Sequence, residues 1–439
     1  MDDLEIKIAI VYKVPKNALS LNGLLRGLAR DRDRIIREAL VQIFAALEDR
    51  LRENYPGDRY VWNGRQSSAR HFQTSFGEVR YAMAQVIDRL TRRTIQPLTR
   101  QLQIPAYRRY HGEMMEAPLG QAVHLSYRLA AKETLRIRGH GPKKSTLWSW
   151  MQEMGEEQSW PSMTSIPFTF LMVDGTEVKK QGRKGTSQGT MQMRWAWAAE
   201  RPGKPFQIVG FWVGKDWTEI RQDLDKRLDY GRLRMLFADG ELGIPAALLT
   251  DQMQVQRCVW HGIRDFRFIL YQDEITGAEQ TPFRQAMKAN PLFHLKKAEL
   301  ETYTPQDEAR VRDKLTVIQK GFEDLLAVLP EDKYPKTRGY VSNFLMAGLT
   351  AFDYWLKHHH WPPLTTNQAE YGFSRVVNRI KRVGRRWSDK GLLNWLTLTL
   401  RKIFEPESWQ RMWRQYFQLH RGLRLQTLHV DYRWILCIT

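Results

Sequence analysis

The chain has 439 residues, 42% hydrophobic and 26% charged, which suits two or three globular domains with real cores and excludes a disordered or fibrous protein. Its sign balance is unusual: 68 Lys+Arg against 48 Asp+Glu give a formal charge of +20, which points to a folded surface that meets a polyanion, with a merely solubilising basic surface as the plainer alternative. Two cysteines, Cys258 and Cys437, exclude a disulfide framework and a Cys-rich zinc module, and no apolar run approaches the roughly 20 residues of a membrane span.

Residues 1–75 read as mixed: a strand over Leu4–Tyr12, a helix over Asp31–Glu53 and a short strand over Arg59–Trp62. The start, Met1-Asp2-Asp3, carries no signal-peptide pattern, so a cytoplasmic, nucleoid-associated protein is expected. Residues 76–160 read as mostly helical. Within them a helix over Leu125–Arg136 is followed by Gly139-His140-Gly141-Pro142, then Lys143 and Lys144, then Ser145 as N-cap of a helix from Thr146 to Met154. This fits a helix-turn-helix with Lys143 and Lys144 facing DNA, and fits an αα-hairpin with no DNA role equally well.

Over residues 161–271 the pattern changes. Strands are predicted over 168–174, 191–199, 206–213, 232–238 and 255–260, with helices over Thr218–Leu228 and Ile244–Met253. The first three strands have no room for crossovers and should form an antiparallel meander. The order β-β-β-α-β-α-β gives a mixed five-stranded sheet flanked by helices, an α/β class. Its first and fourth strands each end in Asp-Gly, at Asp174-Gly175 and Asp239-Gly240. A carboxylate closing a buried strand needs a partner. If the two strands are neighbours the carboxylates converge, and a divalent metal is the partner that suits both. Residues 272–364 read as an all-α insertion and 406–439 as a tail.

A third acid is expected from residues 365–405. In Thr365-Thr366-Asn367-Gln368-Ala369-Glu370, Thr366 or Asn367 can cap a helix whose apolar stripe is Ala369, Phe373, Val376, Val377, Ile380 and Val383. Glu370 falls about 20° of arc from Val377 and so borders that stripe. A first-turn glutamate favoured by the helix dipole is the competing explanation. Glu177 and Glu241 are weaker ligand candidates. Cys258-Val259-Trp260-His261 closes the fifth strand in this reading. It is half a zinc site with no second Cys/His pair nearby, so structural zinc is rejected. Beyond Glu370, Lys381, Arg382, Arg385 and Arg386 have helix-face spacing and suit phosphate contacts.

Two strand-ending Asp-Gly pairs, then Gln256-Arg257-Cys258-Val259-Trp260-His261-Gly262-Ile263-Arg264, then a helical insertion, then Thr366-Asn367-Gln368-Ala369-Glu370, resemble the DDE transposases of the mutator superfamily of bacterial insertion sequences. The resemblance covers about residues 70–405. It implies an RNase H-like catalytic domain interrupted by the all-α insertion, with Asp174, Asp239 and Glu370 as the catalytic, metal-binding triad. It implies Cys258, His261 and Arg264 as supports of the active site, and matches Asn378 and Arg379 to the pattern of the glutamate helix. Asp265 departs from the asparagine that many relatives carry. The implied cofactor is Mg²⁺ or Mn²⁺, two ions. The implied partners are double-stranded DNA, as terminal inverted repeats and target, and further copies of the chain in a dimer or higher assembly. A non-catalytic DNA-binding protein on the same fold and an RNase H-like nuclease without strand transfer are the rival functions.

Overall fold

The computed structural model describes residues 20–105, 109–156, 162–182, 187–381 and 386–417. The expected strand at Leu4–Tyr12, Arg382, Arg385, Val383 and the tail from 418 lie outside the described residues. Two compact units emerge. One combines the described residues up to Met154 with those from Leu398 onward, and the other is Gly155–Thr397.

The first unit opens with helix α1 (Leu21–Leu51), capped by Ser20, whose hydroxyl accepts from the Gly23 N–H at 3.0 Å. Strands β1 (Tyr60–Arg65), β2 (Arg70–Thr74), β3 (Gly77–Tyr81), β4 (Ala84–Asp88) and β5 (Thr94–Ile95) follow, then helices α2 (Pro97–Gln101), α3 (Glu116–Ala122), α4 (Tyr127–Arg138) and α5 (Lys144–Glu156). Strands β1, β4 and β5 form one sheet, and β2 pairs with β3 as an antiparallel hairpin. The mostly helical reading of residues from 76 onward is therefore corrected, and the hairpin crosses its border at 75. Phe72, Val79, Tyr81 and Met83 pack with Phe44 and Leu51 of α1 in one core. Ser145 does not cap α5, which already begins at Lys144; Ser126 and left-handed Gly139 bound α4. Lys143 and Lys144 are exposed.

The second unit is built on the sheet of β6 (Phe170–Gln181), β7 (Ser187–Ala199), β8 (Gln207–Val213), β9 (Met235–Ala238) and β10 (Gln254–Arg257). Its spatial order is β10-β9-β6-β7-β8. β7 is antiparallel to β6 and β8, whereas β9 is parallel to β6 and β10 to β9. The expected mixed five-stranded sheet is present. Alternation sorts the side chains to two faces. Leu171, Val173, Leu236 and Ala238 pack on helices α6 (Trp217–Asp225) and α7 (Gly243–Leu248) through Trp217, Ile220, Leu224, Ile244 and Leu248.

Helices α8 (Val259–Gln272), α9 (Gln280–Ala289), α10 (Lys297–Leu300), α11 (Glu308–Ala327), α12 (Pro335–Ala347) and α13 (Thr350–His358) make the helical insertion. It has its own core around Phe266, Ile318, Phe322, Val341, Phe344 and Trp355. Helix α14 (Asn367–Lys381) and helix α15 (Asp389–Phe404) follow, and α16 (Pro406–Tyr416) belongs to the first unit. The second face of the sheet meets α13 and α14: Phe170 lies 5.5 Å from Tyr354, and Trp195 lies 3.9 Å from Phe373, ring centre to ring centre.

Candidate metal centre

The two aspartates owe their placement to strand register. β6 and β9 pair Phe170 with Met235, Leu171 with Leu236 and Met172 with Phe237, a constant offset of 65 (235 − 170). Continuing that offset puts Asp174 beside Asp239, on strands spaced about 4.8 Å apart. β9 and β10 continue the row: Arg257 pairs with Ala238, and the Cys258 N–H donates to the Ala238 carbonyl at 2.8 Å. Asp174, Asp239 and Cys258 therefore sit at matching heights, the last two just past the ends of β9 and β10 and Asp174 within β6, which runs on through Gly175 to Gln181 and so corrects the expectation that the first strand ends at this Asp-Gly pair.

The fifth strand stops at Arg257, one residue before Cys258. Cys258 is the N-cap of α8 and His261 lies in its first turn, which corrects the reading of both as strand residues. Three residues apart on a helix start, the two side chains share a face.

Glu370 arrives from the opposite side of the chain's long detour. Asp174 faces Trp195 in register across β6 and β7, and the Trp195 ring meets Phe373 of α14. Glu370 is one turn before Phe373. Its carboxylate accepts from the Thr366 hydroxyl at 3.2 Å, and its Oε1 stands 3.5 Å from His261 Nε2. Ala369, Phe373, Val376 and Ile380 are buried as the apolar stripe requires, while the Glu370 side chain keeps 28% of its surface exposed.

The electrostatics follow from this gathering of acids. Burial pushes the Asp174 pKa up to about 7; the Gly175 N–H, donating to Oδ1 at 2.7 Å, opposes this, and the charges of Asp239 and Glu370 push the same way as burial. Arg264 offsets part of the charge. Burial pulls the Arg264 pKa down, but its hydrogen bonds to Asp265 (2.6 and 3.0 Å) and the charges of Asp265, Glu370 and Asp239 carry it above the usual value. The departure at Asp265 thus supplies a bidentate partner for Arg264. Burial lowers the His261 pKa and raises that of the Cys258 thiol. Like charges collected in a desolvated corner are what a hard divalent cation relieves, so the acids fit such an ion.

Among the described residues, the Cys, His and acidic side chains whose ligand atoms all come within 4.8 Å of one another are Cys258, His261 and Glu370; the two aspartates stand outside that group. Glu241 is taken by Arg194 (3.3 Å) and the Trp217 indole (2.9 Å), and Glu177 by Gln192 (3.1 Å). Lys381 donates to the Thr176 hydroxyl, two residues beyond Asp174. Arg386 is exposed.

Sequence reasoning missed Arg257. It is buried at the end of β10, sits 4.1 and 4.2 Å from the Tyr340 and Phe344 rings, and donates to Asn343 at 2.6 Å. Its Nε is buried without a partner. A Cβ on Gly240, whose φ is +113°, would come within 2.6 Å of that Nε. Glycine after Asp239 thus serves both the left-handed turn and the approach of this cation.

Residues 14–188 match the model of an uncharacterised protein family, UPF0236. The matched span includes Asp174 and stops short of Asp239, Cys258, His261 and Glu370. No curated protein matches the chain. Among the described residues, no helix is long and apolar enough to cross a membrane.

Proposed function

We propose that this chain is a DDE transposase with an RNase H-like catalytic domain, cutting DNA at the ends of a mobile element and joining the freed ends to target DNA. The observation that supports the reading is the register of parallel β6 and β9, whose offset carries Asp174 to the level of Asp239, with Glu370 close enough to raise the Asp174 pKa. Mg²⁺ or Mn²⁺ ions, held by Asp174, Asp239 and Glu370, would supply Lewis-acid stabilisation of the attacking and leaving oxygens. The chain's own residues do the rest. Burial and mutual repulsion among the acids favour the uptake of positive charge at this corner. Arg264, held by Asp265, offers a fixed guanidinium to a phosphate beside the acids, and Lys381 lies at the rim of the same site. In the first step water attacks the phosphodiester at the element end and releases a 3′-hydroxyl. In the second, that hydroxyl attacks a target phosphodiester in line and displaces the target's 3′-oxygen.

The basic balance of the chain and exposed Lys143 and Lys144 at the start of α5 suit the DNA ends. Joining two ends calls for at least a dimer. The test uses full-length protein, Mg²⁺ and a duplex carrying the sequences that flank its own gene. Nicking at a discrete position and joining to a target plasmid are expected. Asp174→Ala, Asp239→Ala and Glu370→Ala should each lower both by at least about 100-fold while gel-shift binding persists. Unchanged Mg²⁺-dependent cleavage by all three variants would overturn the assignment. Cutting without joining would make the protein a nuclease, and binding without cutting a non-catalytic DNA-binding protein.

A further inference from the structure

Cys258, His261 and Glu370 form a donor set that the triad does not explain. Mg²⁺ takes hard oxygen ligands, whereas a thiolate and an imidazole select a softer first-row ion. We propose that these three side chains bind one Zn²⁺ ion, in a site next to but distinct from the aspartate pair.

The sulfur is placed for a ligand role. The Thr366 N–H points at Cys258 Sγ from 3.3 Å, and Cys258 occupies the N-cap position of α8, where the positive end of the helix would favour a metal-bound thiolate. His261 supplies the second donor. It is 3% exposed, its Nδ1 is buried with no hydrogen-bond partner, and its Nε2 stands 3.5 Å from Glu370, beyond hydrogen-bonding distance. A buried imidazole in this state is incompletely satisfied, and a bound metal would take up its free donor capacity. Glu370 supplies the third donor, and the Thr366 hydroxyl steadies it.

The geometry needs little adjustment. Tetrahedral zinc with ordinary bond lengths separates its ligand atoms by roughly 3.3–3.8 Å. The three donors already lie within 4.8 Å of one another. Three protein ligands leave the fourth position open, unlike the closed four-ligand structural site that the sequence excludes. Glu370 is common to this site and the triad, so zinc here competes with the hard ion for that carboxylate. The zinc site itself does not depend on the transposase reading.

The test is titration of metal-free, full-length protein with Co²⁺, followed by displacement with Zn²⁺. A thiolate-to-cobalt charge-transfer band should grow to one equivalent and vanish on adding Zn²⁺. Cys258→Ser should abolish the band. His261→Gln and Glu370→Gln should weaken binding by at least about 10-fold. Cys437→Ser and Asp174→Asn should leave the band intact, and circular dichroism of every variant checks that it is folded. No thiolate band in the wild type, or a band that survives Cys258→Ser or is lost with Cys437→Ser, would overturn the proposal. The wild-type measurement decides the matter even if a variant fails to fold. Loss of DNA cleavage with a normal cobalt band would count against the transposase and leave the zinc site standing.

Discussion

The first unit buries Glu48 and the second half-buries Asp174, and they treat these carboxylates differently. In the first, Glu48 is 2% exposed, yet its carboxylate accepts from the Tyr81 hydroxyl at 2.7 Å and the Ala84 N–H at 2.8 Å, with Arg65 at 3.0 Å. In the second, Asp174 receives the Gly175 N–H and faces two further acids, with Arg264 as partial compensation. A carboxylate saturated by its own chain is a structural element. A carboxylate left among like charges is, in the proposed reading, one that awaits a cation.

Three experiments sharpen or break this contrast. The largest stability effect is expected at Glu48: Glu48→Ala leaves the buried Tyr81 hydroxyl and Ala84 N–H without their acceptor, while half-exposed Arg65 keeps the Ala82 carbonyl, and should cost on the order of 2–3 kcal/mol in urea unfolding. A loss comparable to that of an average surface substitution would show that Glu48 is not structural.

The metal-free second unit should respond to pH through Asp174. Its folded pKa of about 7 lies above the value near 4 expected when unfolded. The folded state therefore binds more protons across that window. The contribution of Asp174 is fully present below pH 4 and is lost as pH rises towards 7, by an amount on the order of a few kcal/mol, against the opposite trend of carboxylates with lowered pKa values such as Asp223. Asp174→Asn should flatten that slope and leave the metal-free protein as stable or more so at pH 7. Added Mg²⁺ should reverse the decline in the wild type and do nothing for the variant. An unchanged slope in Asp174→Asn would move the titration to another group.

The smallest effect belongs to Asp265. Arg264 and Asp265 are both partly exposed, so Asp265→Asn should cost at most about 1 kcal/mol of stability. If Arg264 orients DNA phosphates, the same change should lower cleavage several-fold more than it lowers duplex affinity. Equal losses in both would make the pair a simple surface contact.

Where the sequence was legible, the signal was local. The runs before Asp174 and Asp239 are apolar, so the strands could be found without coordinates, although Gly175 does not end the first of them, which runs on to Gln181. The hairpin and sheet over residues 70–95 were harder, although Phe72, Val79, Tyr81 and Val86 show the two-residue period of strands. Each run is short, and charged residues between the apolar ones mimic a helix surface. Cys258 to His261 was misplaced because α8 has no Ser, Thr, Asp or Asn at its start to announce it. Arg257 was invisible because its partners, Tyr340, Asn343 and Phe344, lie more than 80 residues further on (340 − 257 = 83). Glu370 was legible as a helix-edge acid. Its contact with His261, 109 residues away (370 − 261), was not, because helix periodicity says nothing of what a helix packs against.

The Val259 N–H donates to the Leu364 carbonyl at 3.0 Å, and the Thr366 N–H meets Cys258 Sγ. The chain thus leaves the sheet for its helical excursion and comes home through one doorway. The distance of the last acid from the first two is therefore set where the two ends of the excursion meet, and not by the number of residues between them.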